Sequence, residues 1–127
     1  MARRSAQHPT ELELEILKIL WREGSGTVRE VRAHLSGFRE LAHTSVMTMM
    51  GIMTEKGYLK RAKQGKGYVY KPRVSKEETS RRMLGDMVER VYSGSAMAVM
   101  VNLLEMGDID ETELAKLRRL IRQKEKG

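Results

Sequence analysis

Cysteine is absent from this chain. There is therefore no disulfide framework, no thiol nucleophile and no thiolate metal site to look for. Histidine is scarce: only His8, His34 and His43 occur. No His-Glu-x-x-His, Gly-x-Ser-x-Gly or Walker sequence is present, so no nucleophile, base and oxyanion group assemble into a recognisable catalytic set. Catalysis, cofactors and metals are accordingly not expected. Long apolar runs are missing too. The longest uninterrupted one is Ala96 to Val101, far short of the roughly 20 residues that cross a bilayer. The opening MARRSAQHPTE carries two arginines but no apolar core behind them. It does not read as a signal peptide, and the expected location is the cytoplasm, with no membrane partner.

What the chain does have is segregated charge. Of its 127 residues, 40% are apolar and 32% charged, a balance that suits a globular protein. The net charge is +7. Residues 1–73 hold 14 Lys/Arg against 7 Asp/Glu, whereas residues 74–127 hold 10 of each. A solubilising surface has no need of such segregation. A basic first part joined to a neutral second part points to a polyanion-binding module, residues 1–73, with an appendage of different purpose, residues 74–127.

Thr10-Glu11-Leu12-Glu13 has capping-box spacing, and a helix is expected to follow to about Arg22. Leu12, Ile16, Leu17 and Leu20 share one of its faces. Glu23-Gly24-Ser25-Gly26 breaks it as a plain turn; the third glycine and Lys-Ser/Thr of a phosphate loop are absent. Thr27-Val28-Arg29-Glu30 repeats the box and opens a second helix to Leu35, with Val28, Val31 and Leu35 at helical spacing. A third helix is expected from about Thr44 to Lys56, stopped by Gly57.

At 100° per residue, Val46, Met49, Met50 and Met53 fall within about 100° of one another. Those methionines read as core filler, which suits an adaptable thioether. The opposite side carries Thr44, Met47, Thr48, Gly51 and Glu55, with Ser45 and Ile52 flanking. A solvated face would carry Lys and Glu; this one is small, hydroxyl-bearing and uncharged until its end. Gly51 in mid-helix costs about 1 kcal/mol against alanine, which fits close approach to another surface.

Tyr58–Lys63 and Gly67–Lys71 read as two strands around Gln64-Gly65-Lys66-Gly67, ended by Pro72. Three helices and then a basic hairpin is the order of a winged helix-turn-helix, whose third helix enters the major groove of DNA. On that reading Thr44, Ser45, Met47 and Thr48 are base contacts, since hydroxyls both donate and accept. Met47 either meets a thymine methyl or is an ordinary surface methionine. Thr27, Lys60, Arg61, Lys63 and Lys66 are phosphate contacts, which supply affinity rather than sequence choice. Winged helices also bind proteins, and the basic face would then meet an acidic partner.

Ser75-Lys76-Glu77-Glu78 opens a helix expected to reach Tyr92; Ala96–Glu105 is a short apolar helix; Asp110 and Glu113 form a looser cap for a last one. Apolar stripes run through Met83, Met87 and Val91, through Met97, Met100, Val101 and Leu104, and through Leu114, Leu117, Leu120 and Ile121. Some 50 residues of short helices bury little core alone. Two copies would bury each other, and a twofold dimer would read an inverted repeat. The fold expected is mostly α with a small β-hairpin: a winged helix-turn-helix domain plus a C-terminal helical dimerisation domain.

Three segments carry a family resemblance: LELEILKILWREGSGTVREVRAHL, LAHTSVMTMMGIMTEKGYLKR and VYSGSAMAVMVNLLEMGDIDETELAKLRRLI. In order, they resemble the opening helices, recognition helix with wing, and dimerisation tail of the penicillinase-repressor (BlaI/MecI/CopY) family of bacterial transcription regulators. The resemblance implies a homodimeric repressor on double-stranded operator DNA. It also implies release by signal, through a sensor protease in the β-lactam-responsive members. Their cleaved Asn-Phe bond corresponds here to Asn102-Leu103, where leucine replaces the phenylalanine. The Cys-x-Cys of copper-responsive members has no counterpart in this cysteine-free chain. His43 stands where tyrosine is common in the family.

Overall fold

The computed structural model describes residues 8–127. The opening stretch considered as a signal peptide lies for the most part outside these residues. Six helices flank one hairpin, in the order α1 (Glu11–Glu23), α2 (Val28–Leu35), α3 (His43–Glu55), β1 (Leu59–Gln64), β2 (Gly67–Pro72), α4 (Lys76–Tyr92), α5 (Ala96–Met106) and α6 (Glu111–Lys126). The chain is mostly α with one small antiparallel sheet, as the sequence indicates.

The helix starts follow from local chemistry. The Thr10 hydroxyl accepts the Glu13 amide at 3.2 Å, and the Thr10 amide donates to Glu13 Oε1 at 2.9 Å. Thr27 and Glu30 repeat this at 3.2 and 2.8 Å. Ser75 and Glu78 do so at 3.0 and 3.4 Å. The expected loose cap at Asp110 is in fact a full box, with reciprocal bonds to Glu113 at 2.8 and 3.2 Å. Each box satisfies amides that would otherwise lack partners at a helix start. The third helix begins one residue earlier than expected. Ala42 is its N-cap, in extended conformation and without a side-chain bond. Its end is a Schellman turn: Gly57, at φ +88°, donates to Thr54 O at 3.1 Å and Tyr58 to Met53 O at 2.9 Å. Glycine bears that φ without steric cost.

The strands are displaced by one residue at each outer end. Tyr58 leaves the strand to join the core, and Leu59 pairs with Pro72. Gln64 faces Gly67, which leaves a two-residue turn with Gly65 at φ +60° in its first corner. The hairpin is also tied to the helices. Gly26 and Tyr70 exchange backbone hydrogen bonds of 3.0 and 2.8 Å. The break after α1 is therefore more than a plain turn, since it forms a third short edge of sheet. Gly26 is buried there, and a Cβ would come within 3.3 Å of a Leu20 methyl.

The core joins α1 (Ile16, Leu17, Leu20), α2 (Val31, Leu35), α3 (Val46, Met50, Met53) and the hairpin (Leu59, Tyr70) in one cluster. Met49 packs against it half-buried. Trp21 Nε1 donates to Val74 O at 2.9 Å and fixes the chain leading into α4, where Thr79 is buried.

The chain divides into two compact units, one ending at Gly85 and one from Asp86 to Gly127. The second contains the end of α4 with α5 and α6. It has no buried side chain, and Val91 and Met97 are each 67% exposed.

One ion pair of the first unit has a buried partner. Glu13 is 1% exposed, and its second oxygen accepts Lys56 Nζ at 2.8 Å. Burial pushes the Glu13 carboxyl up, but the Lys56 ammonium and the Thr10 amide outweigh it and hold the pKa below the usual value. The hydrogen bond to Glu13 in turn raises the Lys56 pKa. A lowered carboxyl contributes stability above its unfolded pKa and loses it as pH falls through the folded one. The raised ammonium contributes below its unfolded pKa and loses it as pH rises through the folded one. The pair therefore contributes fully between about pH 5 and pH 10. Glu13→Gln should cost about 1–3 kcal/mol at neutral pH, because the ammonium keeps access to water. Denaturation followed from pH 7 to pH 3 should show a shallower loss of stability in the variant. Equal acid sensitivity in both proteins would remove the pair from this account.

Candidate nucleic-acid interface

Burying Val46, Met50 and Met53 fixes what α3 presents outward. Thr44, Ser45, Met47 and Thr48 are all exposed. Met47 is 46% exposed, too open for a core residue. Gly51 is half-exposed on the same side, and a Cβ there would meet nothing. From Thr44 to Thr54 the helix bears no charge. The four expected base contacts thus form one uncharged surface at the start of α3.

Beside it runs a groove of about 500 Å³, floored and walled by three elements. The start of α2 supplies Thr27 and Arg29, α3 supplies His43 and Met47, and the hairpin supplies Arg61, Lys66 and Tyr68. The Gly26–Tyr70 bridge creates this arrangement, because it holds the first turn of α2 against β2.

The register sorts the expected phosphate contacts. Arg61 pairs with Tyr70 and Lys63 with Tyr68, on one face; Lys60 pairs with Lys71 on the other. Arg61, Lys66 and Thr27 line the groove, whereas Lys60 and Lys63 do not. The Arg61 guanidinium lies 4.2 Å from the centre of the Tyr68 ring, and Lys63 Nζ lies 5.5 Å from it. This cation–π contact orders two long side chains along the hairpin. Tyr68 and Tyr70 meet edge to face at 6.3 Å. A hydrogen bond with the Tyr70 side chain raises the Arg61 pKa.

Among the groove residues not singled out as contacts from the sequence, three bear on its chemistry most directly: Arg29, His43 and Tyr68. Arg29 was legible in principle, since it lies two residues past a helix cap. The other two depend on how hairpin and helices meet. Among the described residues, no group of three or more His, Cys, Asp or Glu side chains could hold a metal ion. None of their helices is long and apolar enough to cross a membrane.

The arrangement offers hydroxyl and apolar groups to a surface in front of α3, and permanent cations to anions beside it. Comparison with known proteins agrees with that chemistry. The family model for the penicillinase repressor matches residues 9–123. The chain belongs to the penicillinase repressor family. It is 25% identical over 114 residues to the penicillinase repressor of Bacillus licheniformis, covering 90% of this chain and 89% of the relative. It is 30% identical over 119 residues to the transcriptional regulator BlaI of Mycobacterium tuberculosis, covering 92% and 85%. A third relative is the methicillin resistance regulatory protein MecI of Mammaliicoccus sciuri, 20% identical over 112 residues, covering 88% and 91%. The solved DNA binding domain of the repressor BlaI superposes with a TM-score of 0.51 at 26% identity, covering 60% of this chain and 93% of that domain. The winged-helix fold is thereby shown, and members of this penicillinase repressor family are transcriptional repressors rather than enzymes.

Proposed function

We propose that this penicillinase-repressor family member is a sequence-specific DNA-binding repressor, a homodimer on an inverted-repeat operator, released by a signal. The observation that carries the reading is the pairing of an uncharged, hydroxyl-bearing α3 face with a cationic groove beside it. Residues 1–73 form the DNA-binding part in this reading, and residues 74–127 the dimerisation part. Thr44, Ser45, Met47 and Thr48 meet base edges in the major groove. Thr27, Arg61 and Lys66 meet phosphates in the groove, while Lys60 and Lys63 meet the backbone from the hairpin faces. Arg29 joins them. Hydroxyls are ambiguous readers, so DNA shape supplies part of the specificity.

Dimerisation is supported by apolar surface that the second unit leaves uncovered. Met87, Val91, Met97, Met100, Val101, Leu104, Leu120 and Ile121 are all more than two-fifths exposed. Leu117 is 37% exposed, and Met83 and Leu114 are half-buried. Monomeric proteins rarely leave such side chains clustered in water. A second copy covers them in a symmetric dimer.

A repressor of this kind works in the cytoplasm, where its operator lies. Release through a sensor protease would cut Asn102-Leu103. That bond lies within α5, with both side chains exposed and Asn102 Nδ2 donating to the Tyr92 hydroxyl at 3.0 Å. Cleavage there requires local unwinding of the helix.

Thr48→Ala should lower discrimination between operator and random DNA by about tenfold, with little change in non-specific affinity. Arg61→Ala with Lys66→Ala should weaken both kinds of binding alike and reduce the slope of log K against log salt by about 2. Binding isotherms at several salt concentrations check both, and an unchanged operator margin in Thr48→Ala would displace the reading face from α3. Met100→Glu with Leu104→Glu should convert the protein to a monomer with its helix content intact. Sedimentation equilibrium checks this, and a persistent dimer would place the interface elsewhere.

A further inference from the structure

His43 is exposed in the first turn of α3 and lines the cationic groove. Charged and titratable groups face it from each neighbouring element. From α2 comes Arg29; from the hairpin come Arg61, Lys66, Tyr68 and Tyr70. A second hollow is lined by His43 together with Arg29, Arg32 and Glu40. Imidazole is the one group in this set that ordinarily changes charge near neutral pH. Among the described residues, nothing in the chain hydrogen-bonds its ring nitrogens.

We propose that His43 is a further phosphate contact of this interface, and that it takes up a proton when DNA binds. The proposal rests on the groove being the seat of the DNA backbone. A neutral imidazole donates from one nitrogen only, whereas the imidazolium donates from both and adds a charge. A phosphate in the groove stabilises the charged form, so occupancy and protonation are linked. Less than one proton per groove is taken up from solvent by the ring, the difference between its bound and free protonation, and no covalent bond changes. A bound anion that raises the ring's proton affinity makes DNA bind more tightly as the pH falls.

The test uses the full-length protein and a duplex selected from a randomised library, at constant salt. Affinity is measured at pH 6, 7 and 8 for wild type, His43→Gln and His34→Gln. Wild type and His34→Gln should tighten several-fold toward pH 6, and His43→Gln should stay flat. Calorimetry at pH 7 in two buffers of different ionisation enthalpy should show proton uptake by wild type that His43→Gln lacks. DNA binding with the same pH slope in wild type and His43→Gln would overturn the proposal alone. So would a flat wild-type profile. Failure of wild type to bind any duplex would remove the interface reading, and this proposal with it.

Discussion

Everything outward on α3 depends on how its inner face is buried. Val46, Met50 and Met53 sit in one cluster with Ile16, Leu17 and Leu20 of α1 and Leu35 of α2. Each buried side chain of this size contributes about 1.5–3 kcal/mol by leaving water. Rotating α3 about its axis would expose those groups and bury Thr44 and Thr48 without partners, so a single orientation is strongly favoured. Methionine suits the position because its flexible thioether fills an irregular gap. The Glu13–Lys56 pair then fixes the end of α3 against the start of α1. Hydrophobic burial sets the orientation of the helix, and a charged pair with a buried carboxylate and a water-accessible ammonium sets its register along the axis.

The hairpin is held by different means. Leu59 and Tyr70 anchor it to the core, but the Gly26–Tyr70 bridge determines which helix it stands beside. Gly26 has no room for a side chain, and its small size lets two backbones meet. As a result Thr27 and Arg29 come next to Arg61 and Lys66, and scattered cations become one groove. The second unit is built on the opposite principle. It leaves leucine, methionine and valine in water. In the proposed reading a symmetric copy covers this surface.

Much of this was legible in the sequence because it is local. Capping boxes at Thr10, Thr27 and Ser75 mark three helix starts within four residues each. The 100° spacing of Val46, Met50 and Met53 separates the inner face of α3 from the outer one. What escaped is long-range. Glu13 is read locally as a cap, and nothing near it announces a lysine 43 residues away. Gly26 reads as punctuation, because its partner Tyr70 lies in a different element. Strand alternation already puts Arg61 and Lys63 on one face and Lys60 on the other, but only the way hairpin and helices meet shows that Arg61 and Lys66 line the groove. The looser-looking Asp110 proved to be a full cap, since aspartate and serine offer the same oxygen to the same amide.

The central claim is that two α3 helices, carried on a symmetric dimer, read DNA. Selection of bound duplexes from a randomised library by the full-length protein at physiological salt tests it most directly. The account predicts enrichment of an inverted repeat with half-sites about one helical turn apart, or a multiple of it. Recovery of unselected sequence, bound only at low salt, would contradict it and leave a basic surface with no sequence to read.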